Sequence, residues 1–504
     1  MSHQHRSTAH SAPPVGDAET LQRLGVKPVL HRRMSGQANG WATFTVMSIT
    51  SGSQVLFGFG LHTGGPGLMV WGFLAGGLLI LALAAALSEI TSAYPTSGAL
   101  YDMANRLGGR LWGFVTGYLN LLGLIGGIAG IDFGCAQFIA AYLNLQWGIT
   151  LTAQGLLALC GALMLTHALL NLFGVRVMAA INSLNGWLQL ACVAGIVCTL
   201  TFVPSRHQSV GFVLGHYTNT TGWTSAIVVA GIGLLFSMYS LAGFDTSAHL
   251  SEETTGAALA APRAIMRAVL MSVICGLVLI VAMLFAIQDY TAVLASPLAP
   301  AEIFAQAIGA ASTNVLLLAI IGSQFFAGYA LVGACSRMCF AFSRDGAVPY
   351  SHLWRKVRKS NSVPANAVWL VVTIAFLLVV PTLKSTVVFT AVTTIAVIGT
   401  VPAYAIPVLL RRWYPHRFTP GPWTLGRWSA PIGSLAVLGV AAVTVLLCLP
   451  QARPVTWTNA NYSGPVLLAV LALAWMRWRV AGRDYQPPTT NTSAADLDFA
   501  EGTV

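Results

Sequence analysis

The chain has 504 residues, 56% of them hydrophobic and only 8% charged, with a mean hydropathy of +0.71. That balance excludes an ordinary soluble domain, in which about a quarter of residues carry charge. The net charge of +11 would point to nucleic acid only if Lys and Arg were gathered on one surface.

Residues 1–40 lack the continuous apolar stretch of a cleavable signal peptide and read as a cytoplasmic tail. Beyond them the sequence predicts an all-α membrane protein. A bilayer crossing needs roughly 20 apolar residues, and twelve such spans follow, centred in 41–62, 66–90, 111–142, 150–173, 176–203, 223–250, 264–288, 313–343, 364–380, 385–410, 429–449 and 464–480. They are numbered here one to twelve. Spans three and eight exceed one crossing and imply tilt or protruding ends. From 481 to 504 the chain turns polar and rich in Pro and Thr, which predicts a disordered cytoplasmic end.

With residues 1–40 inside and twelve crossings, 23 of the 26 Lys and Arg fall in the termini, the even-numbered loops or the span ends that adjoin them; Arg206, Lys384 and Arg453 are the exceptions. This is the positive-inside bias, which places both termini in the cytoplasm of a cell whose plasma membrane holds the protein. The basic balance therefore reports topology, and no nucleic-acid partner is expected. All eight cysteines lie in apolar spans without metal-ligand spacing, apart from Cys335 and Cys339, which are four apart on one helix. They read as small packing residues, with no metal implied.

Two spans are interrupted. In span six, residues 236–253 (FSMYSLAGFDTSAHLSEE), Ser240, Gly243 and Asp245 stand where Leu and Val would continue the helix. In span one, residues 44–59 (FTVMSITSGSQVLFGF), the corresponding place holds Thr50, Ser51, Gly52 and Ser53. Each break opens a set of five spans, 41–203 and 223–410, with spans eleven and twelve (429–480) appended. An odd number of crossings per set inverts one relative to the other, and interleaving brings both breaks together near the midplane.

A break creates a binding site because inside hydrocarbon every backbone N–H and C=O needs a partner. A half-helix beginning at Thr50, Ser51, Gly52 and Ser53 offers amides and a positive dipole end to a carboxylate. Carbonyls freed around Tyr239, Ser240 and Gly243 suit an ammonium group or a small cation. The competing explanation is that Gly and Ser serve close helix packing.

Asp245 is the ionisable residue of greatest interest, since a charge at mid-span costs roughly 2.5–3.5 kcal/mol on insertion scales and must be paired, protonated or hydrated. It is a candidate proton carrier or amine partner, or else a cap for the broken helix. Asp132 in span three, among Gly126, Gly127, Gly130 and Gly134, is a second intramembrane acid with the same two readings. His167 and His249 titrate near physiological pH when unperturbed, and His249 is expected to pair with Glu252 and Glu253. A gate at the cytoplasmic end is expected from ion pairs among Glu89, Arg106, Glu252, Glu253, Arg263, Arg337, Arg344 and Asp345, with a packed re-entrant loop after Glu89; solvated charges are the alternative.

These residues resemble a known family. Ser240 through Glu253 (SLAGFDTSAHLSEE), followed by Ala261, Pro262 and Arg263, is similar to the sixth-span signature of the amino acid/choline transporters within the amino acid-polyamine-organocation superfamily. Gly64-Gly65-Pro66 with Trp71-Gly72, EITSAYPTSGALY from Glu89, and Ser336-Arg337-Met338 with AFSRDG from Ala341 and Pro349 agree with γ-aminobutyrate and choline permeases. The likeness runs from about 35 to 480. It implies a leucine-transporter-type fold of ten core helices plus two, alternating access, and substrate held by spans one, three, six and eight. It carries the carboxylate-binding turn onto Thr50, Ser51, Gly52 and Ser53, and the hydrophobic-acid pair onto Phe244 and Asp245. Some relatives place a lysine in span five in lieu of sodium; residues 177–205 hold neither Lys nor Arg, so proton and sodium both stay open as coupling ions.

The expected cargo is an amino acid or γ-aminobutyrate, its amine held by Asp245, free carbonyls, or the rings of Tyr239, Phe244, Phe325 or Tyr329. Choline or a polyamine is the alternative, as is a nutrient sensor that binds without transporting. No Gly-Lys pair exists to form a phosphate-binding loop, so ATP is not expected as a direct driver. Neither an HExxH nor a GxSxG pattern is present, and no enzyme activity or cofactor is expected. A channel would need a continuous polar pore instead of polar groups gathered at two breaks.

Overall fold

The computed structural model describes residues 17–26, 30, 32–358, 363–383, 387–456 and 460–487. Lys384 and the remaining terminal and loop residues lie outside that set. The described chain is helical throughout, without a β-sheet. Among the described residues, nine helices are long and apolar enough to cross a membrane. Every predicted span coincides with helix, and spans one and six are the two that are broken.

Span one forms Gly36–Met47, Ile49–Val55 and Phe57–His62. Span six forms Ala226–Ser240, then Thr246–His249 after a non-helical stretch. Span three, Arg110–Trp147, and span ten, Val387–Trp413, form the central pair against which both breaks lie. Glycine lets these two approach backbone to backbone, as small residues do in membrane helices. A Cβ on Gly399 would sit 2.6 Å from Gly123 Cα, and one on Gly126 would sit 3.0 Å from Ala396 N.

Span seven is the helix Ala257–Ala286, which begins earlier than the sequence predicts. Pro262 sits inside the helix. Its missing N–H leaves the Ala258 carbonyl free, and the Ser92 hydroxyl donates to that carbonyl at 2.7 Å.

The stretch after Glu89 is packed, as expected of a gate loop. Ala99–Gly108 is a buried helix tucked under the bundle at the end that carries most of the Arg residues, called here the basic end. The tail expected over 1–40 is engaged there too. Leu21 and Leu24 are buried, the Leu24 carbonyl accepts from Arg106 Nη2 at 2.7 Å, and Met34 N–H donates to the Glu253 carbonyl at 2.9 Å.

The polar end does not separate from the bundle at 481. Tyr485 is fully buried, its ring 5.4 Å from Phe114 and 6.0 Å from Phe342, and Gln486 N–H donates to the Asp345 carbonyl at 2.9 Å. A single aromatic side chain entering an apolar slot outweighs the local polar composition. Residues past 487 lie outside the described set.

Tyr485→Ala should lower unfolding stability by about 3–5 kcal/mol, the range for truncating a buried aromatic. Tyr485→Phe should leave it equal or higher, because the Tyr485 hydroxyl has no hydrogen-bond partner. Thermal unfolding of the detergent-solubilised variants checks both.

Candidate functional site: a cavity between two broken helices

The first break is at Ser48, whose φ of 30° and ψ of 71° are left-handed. The sequence places it at Thr50, Ser51, Gly52 and Ser53; these instead form the opening turn of the half-helix Ile49–Val55. A non-glycine residue in this conformation is uncommon and held by its surroundings. The Ser51 and Gly52 amides both turn to the Ser48 carbonyl, at 2.7 and 3.0 Å. The Ile49 and Thr50 amides precede the first internal bond of the half-helix, where donors are left over.

Span five supports the carbonyl side of the same break. Gln189 Nε2 donates to the Thr45 carbonyl at 3.3 Å and Asn185 Nδ2 to Thr45 Oγ1 at 3.2 Å, while Thr45 Oγ1 lies 3.3 Å from the Asn182 carbonyl. Asn182, Asn185 and Gln189 form one helical stripe of fully buried amide side chains. Sequence reasoning passed over them by looking in span five for charge alone.

The second break turns on Gly243, whose φ of 92° suits glycine. Its N–H donates to Tyr404 Oη at 3.1 Å, and Tyr404 in turn donates to Asp245 Oδ1 at 2.9 Å. Asn120 Nδ2 of span three donates to Asp245 Oδ2 at 3.0 Å. His249 Nε2 lies 3.1 Å from that same oxygen, so its partner is Asp245 and not Glu252 or Glu253. The reason is helical spacing: His249 follows Asp245 by one turn, while Glu252 and Glu253 belong to the next, 3-10 turn and face the basic end.

The two breaks touch. A Cβ on Gly52 would sit 2.7 Å from Ser240 Cα, and one on Gly243 would sit 2.6 Å from Val46 Cγ1. Between them lies a cavity of about 40 Å³, bounded by Ser51 and Gly52 of span one, Tyr239 and Gly243 of span six, Gly127 of span three and Thr400 of span ten. At about 10–15 Å³ per water on this measure, it has room for about three waters. Ser51 Oγ and Tyr239 Oη, one from each broken helix, are buried and have no protein partner. Each therefore has hydrogen-bonding capacity left for a ligand.

Of the other candidate substrate contacts, Thr50 bonds Ser323 of span eight, Ser53 donates to the Ile49 carbonyl at 2.5 Å, and Ser240 donates to Phe236 at 2.6 Å. The Phe244 ring packs 4.5 Å from Tyr404, and Phe325 packs 4.6 Å from His167. None of these five lines the cavity. Asp132 is buried with His167, Nδ1 to Oδ2 being 3.2 Å, and keeps its Oδ1 without a partner. Tyr404, Asn120 and Thr400 were not singled out from the sequence; the only signal was a polar side chain within an apolar span. Among the described residues, no cluster of His, Cys, Asp and Glu could hold a metal.

At the basic end, Arg337 pairs with Glu253 at 3.5 Å and Arg344 with Glu252 at 3.6 Å. Glu89 and Arg106 join no member of the expected set: Glu89 pairs with Arg411 at 2.5 Å and Arg106 with Asp102 at 2.9 Å. Each takes the cation or acid that packing brings nearest, Arg411 at the end of span ten and Asp102 one helical turn away. The carboxylates and Arg337 are buried, and Arg106, Arg344 and Arg411 are partly buried, so these charges are paired and not left to solvent.

The fold and cavity define a helical membrane protein with a small, mostly apolar chamber that carries a few polar groups at crossed helix breaks. Residues 41–472 match the family described as Amino acid permease, and the chain belongs to that family, within the amino acid-polyamine-organocation superfamily. It is 33% identical to the amino-acid permease BAT1 homolog of Oryza sativa subsp. japonica, over 95% of this chain and 98% of that protein. It is equally 33% identical to the amino-acid permease BAT1 of Arabidopsis thaliana, over 92% and 94%. Identity to the GABA-specific permease of Saccharomyces cerevisiae is 26%, over 98% and 89%.

Asp345, just beyond span eight, accepts from Tyr101 Oη at 2.9 Å. Burial pushes its carboxyl from 3.8 up to about 7, with Arg344 opposing and Asp102 adding to the rise. The packing at the basic end therefore gains from this proton below the ordinary carboxylate range and loses that gain as pH climbs through about 7. Backbone hydrogen exchange over residues 94–109, corrected for the intrinsic rate, should accelerate across that interval, and Asp345→Asn should flatten the change.

Proposed function

We propose that this permease imports an amino acid or a γ-aminobutyrate-like amine across the cytoplasmic membrane by alternating access, coupled to an ion. In this reading the chain crosses the bilayer twelve times with both termini in the cytoplasm, as two inverted five-helix repeats plus two helices. Its cargo enters the cavity from outside. The substrate carboxylate takes the amides at the start of Ile49–Val55 and the Ser51 hydroxyl, where the half-helix dipole favours negative charge. The ammonium end takes the Tyr239 hydroxyl and ring and the carbonyls beside Gly243.

One observation carries the reading: two partnerless hydroxyls, Ser51 and Tyr239, meet in a cavity whose walls are both helix breaks. The family supports amino acids as the class of cargo, and the GABA specificity in the yeast relative's name supports γ-aminobutyrate among them. Ion pairs closing the basic end fit a state in which the inner gate is shut, to be opened as the helices of spans one, two, six and seven rock against the rest.

Uptake into proteoliposomes, competed with amino acids, γ-aminobutyrate, choline and polyamines, should show competition by compounds that carry both a carboxylate and an amine. Repeating it without sodium and with the proton gradient collapsed identifies the driving ion. Gly52→Val should abolish uptake while leaving membrane insertion intact, because its side chain would meet the Ser240 backbone. Normal uptake by this variant, or binding without uptake by the unaltered protein, would reject the reading.

A further inference from the structure

His249 lies outside the cavity wall, fully buried, with each ring nitrogen facing an oxygen. Nδ1 is 3.0 Å from the Ser97 carbonyl. A carbonyl oxygen only accepts, so Nδ1 carries a hydrogen. The state of Nε2 is then the one variable left. It faces Asp245 Oδ2, which already accepts from Asn120, while Oδ1 accepts from Tyr404.

Without a further proton, the Nε2 lone pair would oppose a carboxylate oxygen across 3.1 Å, and the pair would bury one uncompensated negative charge. Among the described residues, no other basic side chain lies within 4.0 Å of the Asp245 carboxylate. One added proton yields imidazolium and carboxylate, net zero, with every contact satisfied. The atoms balance simply: one proton from water is gained, one Nε2–H bond forms, and nothing is oxidised or reduced.

Among the described residues, the side chains that contact this pair offer no alternative home for that proton's charge. Span ten contributes Tyr404 and span eight Cys335, both neutral in their ordinary states. Span three contributes the amide of Asn120, and the loop before Ala99–Gly108 contributes Ser97 between Tyr94 and Tyr101. Glu252 and Glu253 lie one turn further on and are taken by Arg344 and Arg337.

The same pair lies midway along an unbroken series of contacts. It runs from the Gly243 amide through Tyr404, Asp245 and His249 to the Ser97 carbonyl. The Ser97 N–H continues it, donating to Glu252 Oε1 at 2.9 Å, and Glu252 pairs with Arg344. One end of the series is a cavity wall, and the other is an ion pair at the basic end.

We propose that the Asp245–His249 pair is a one-proton binding site linking the span-six break to the gate at the basic end, and that this proton is the co-transported ion. The proposal rests on the transport reading above and specifies its ion. With the proton present the pair is neutral and His249 holds Ser97 in place. When the proton leaves, the Nε2 lone pair faces Asp245 Oδ2 and the uncompensated negative charge draws in water. The ring turns away from Asp245, which pulls its still-protonated Nδ1 off the Ser97 carbonyl and loosens the Ser97 amide from Glu252.

The site is tested in two ways on the full-length protein. In the first, with no substrate added, 15N-histidine NMR follows His249 in nanodiscs from about pH 5 to 9, the signal being assigned by its loss in His249→Gln. Nδ1 should stay protonated while Nε2 loses its proton in one step; Asp245→Asn should remove that step, and Asp345→Asn should keep it. Absence of the step, or its persistence in Asp245→Asn, overturns the proposal. In the second, proteoliposomes taking up labelled γ-aminobutyrate, or the strongest competitor from the panel if that is not carried, should acidify internally. His249→Gln should lose both the acidification and concentrative uptake; retention of both overturns the proposal. If the unaltered protein carries none of the panel, the transport reading fails, and the NMR result still decides whether the proton site exists.

Discussion

The architecture depends on the contact of Gly52 with the backbone of Ser240. There is no room for a side chain at that point, so the two broken helices cross in direct contact. The breaks would otherwise be two separate defects, each exposing backbone groups that hydrocarbon cannot satisfy. Brought together and walled by Gly127 and Thr400, they share one small cavity. The protein completes part of the bonding itself, as Gln189 does at the Thr45 carbonyl and Tyr404 at the Gly243 amide. Ser51 and Tyr239 remain available.

The span pattern was legible because hydropathy over about 20 residues averages out local irregularities. All twelve predicted segments are helical for that reason. The exact point of a break was less legible. Ser51, Gly52 and Ser53 look like a break by composition, yet the chain turns at Ser48, and a serine forced into left-handed geometry leaves no mark in the sequence. Gly243 does leave one, and there the reading and the structure coincide.

Side-chain direction was the least legible property. Thr50, Ser53, Phe244 and Phe325 have suitable chemistry and suitable positions, but helix rotation sends each to a protein partner. The same rotation gives both intramembrane acids a histidine partner, Asp132 with His167 and Asp245 with His249. For Asp245 the partner is four residues away and was within reach of helical spacing; for Asp132 it comes from another helix and was not. The docking of Tyr485 makes a similar point, since burial of one ring is invisible to a composition average.

The central claim is that cargo is held where the two breaks cross. Cryo-electron microscopy of the protein in nanodiscs with the strongest-competing substrate bound tests it most directly. The account predicts ligand density between Ser51, Gly52 and Tyr239, with the carboxylate toward the start of the half-helix Ile49–Val55. Ligand density away from both breaks, or a continuous helix through either of them in the bound state, would contradict it.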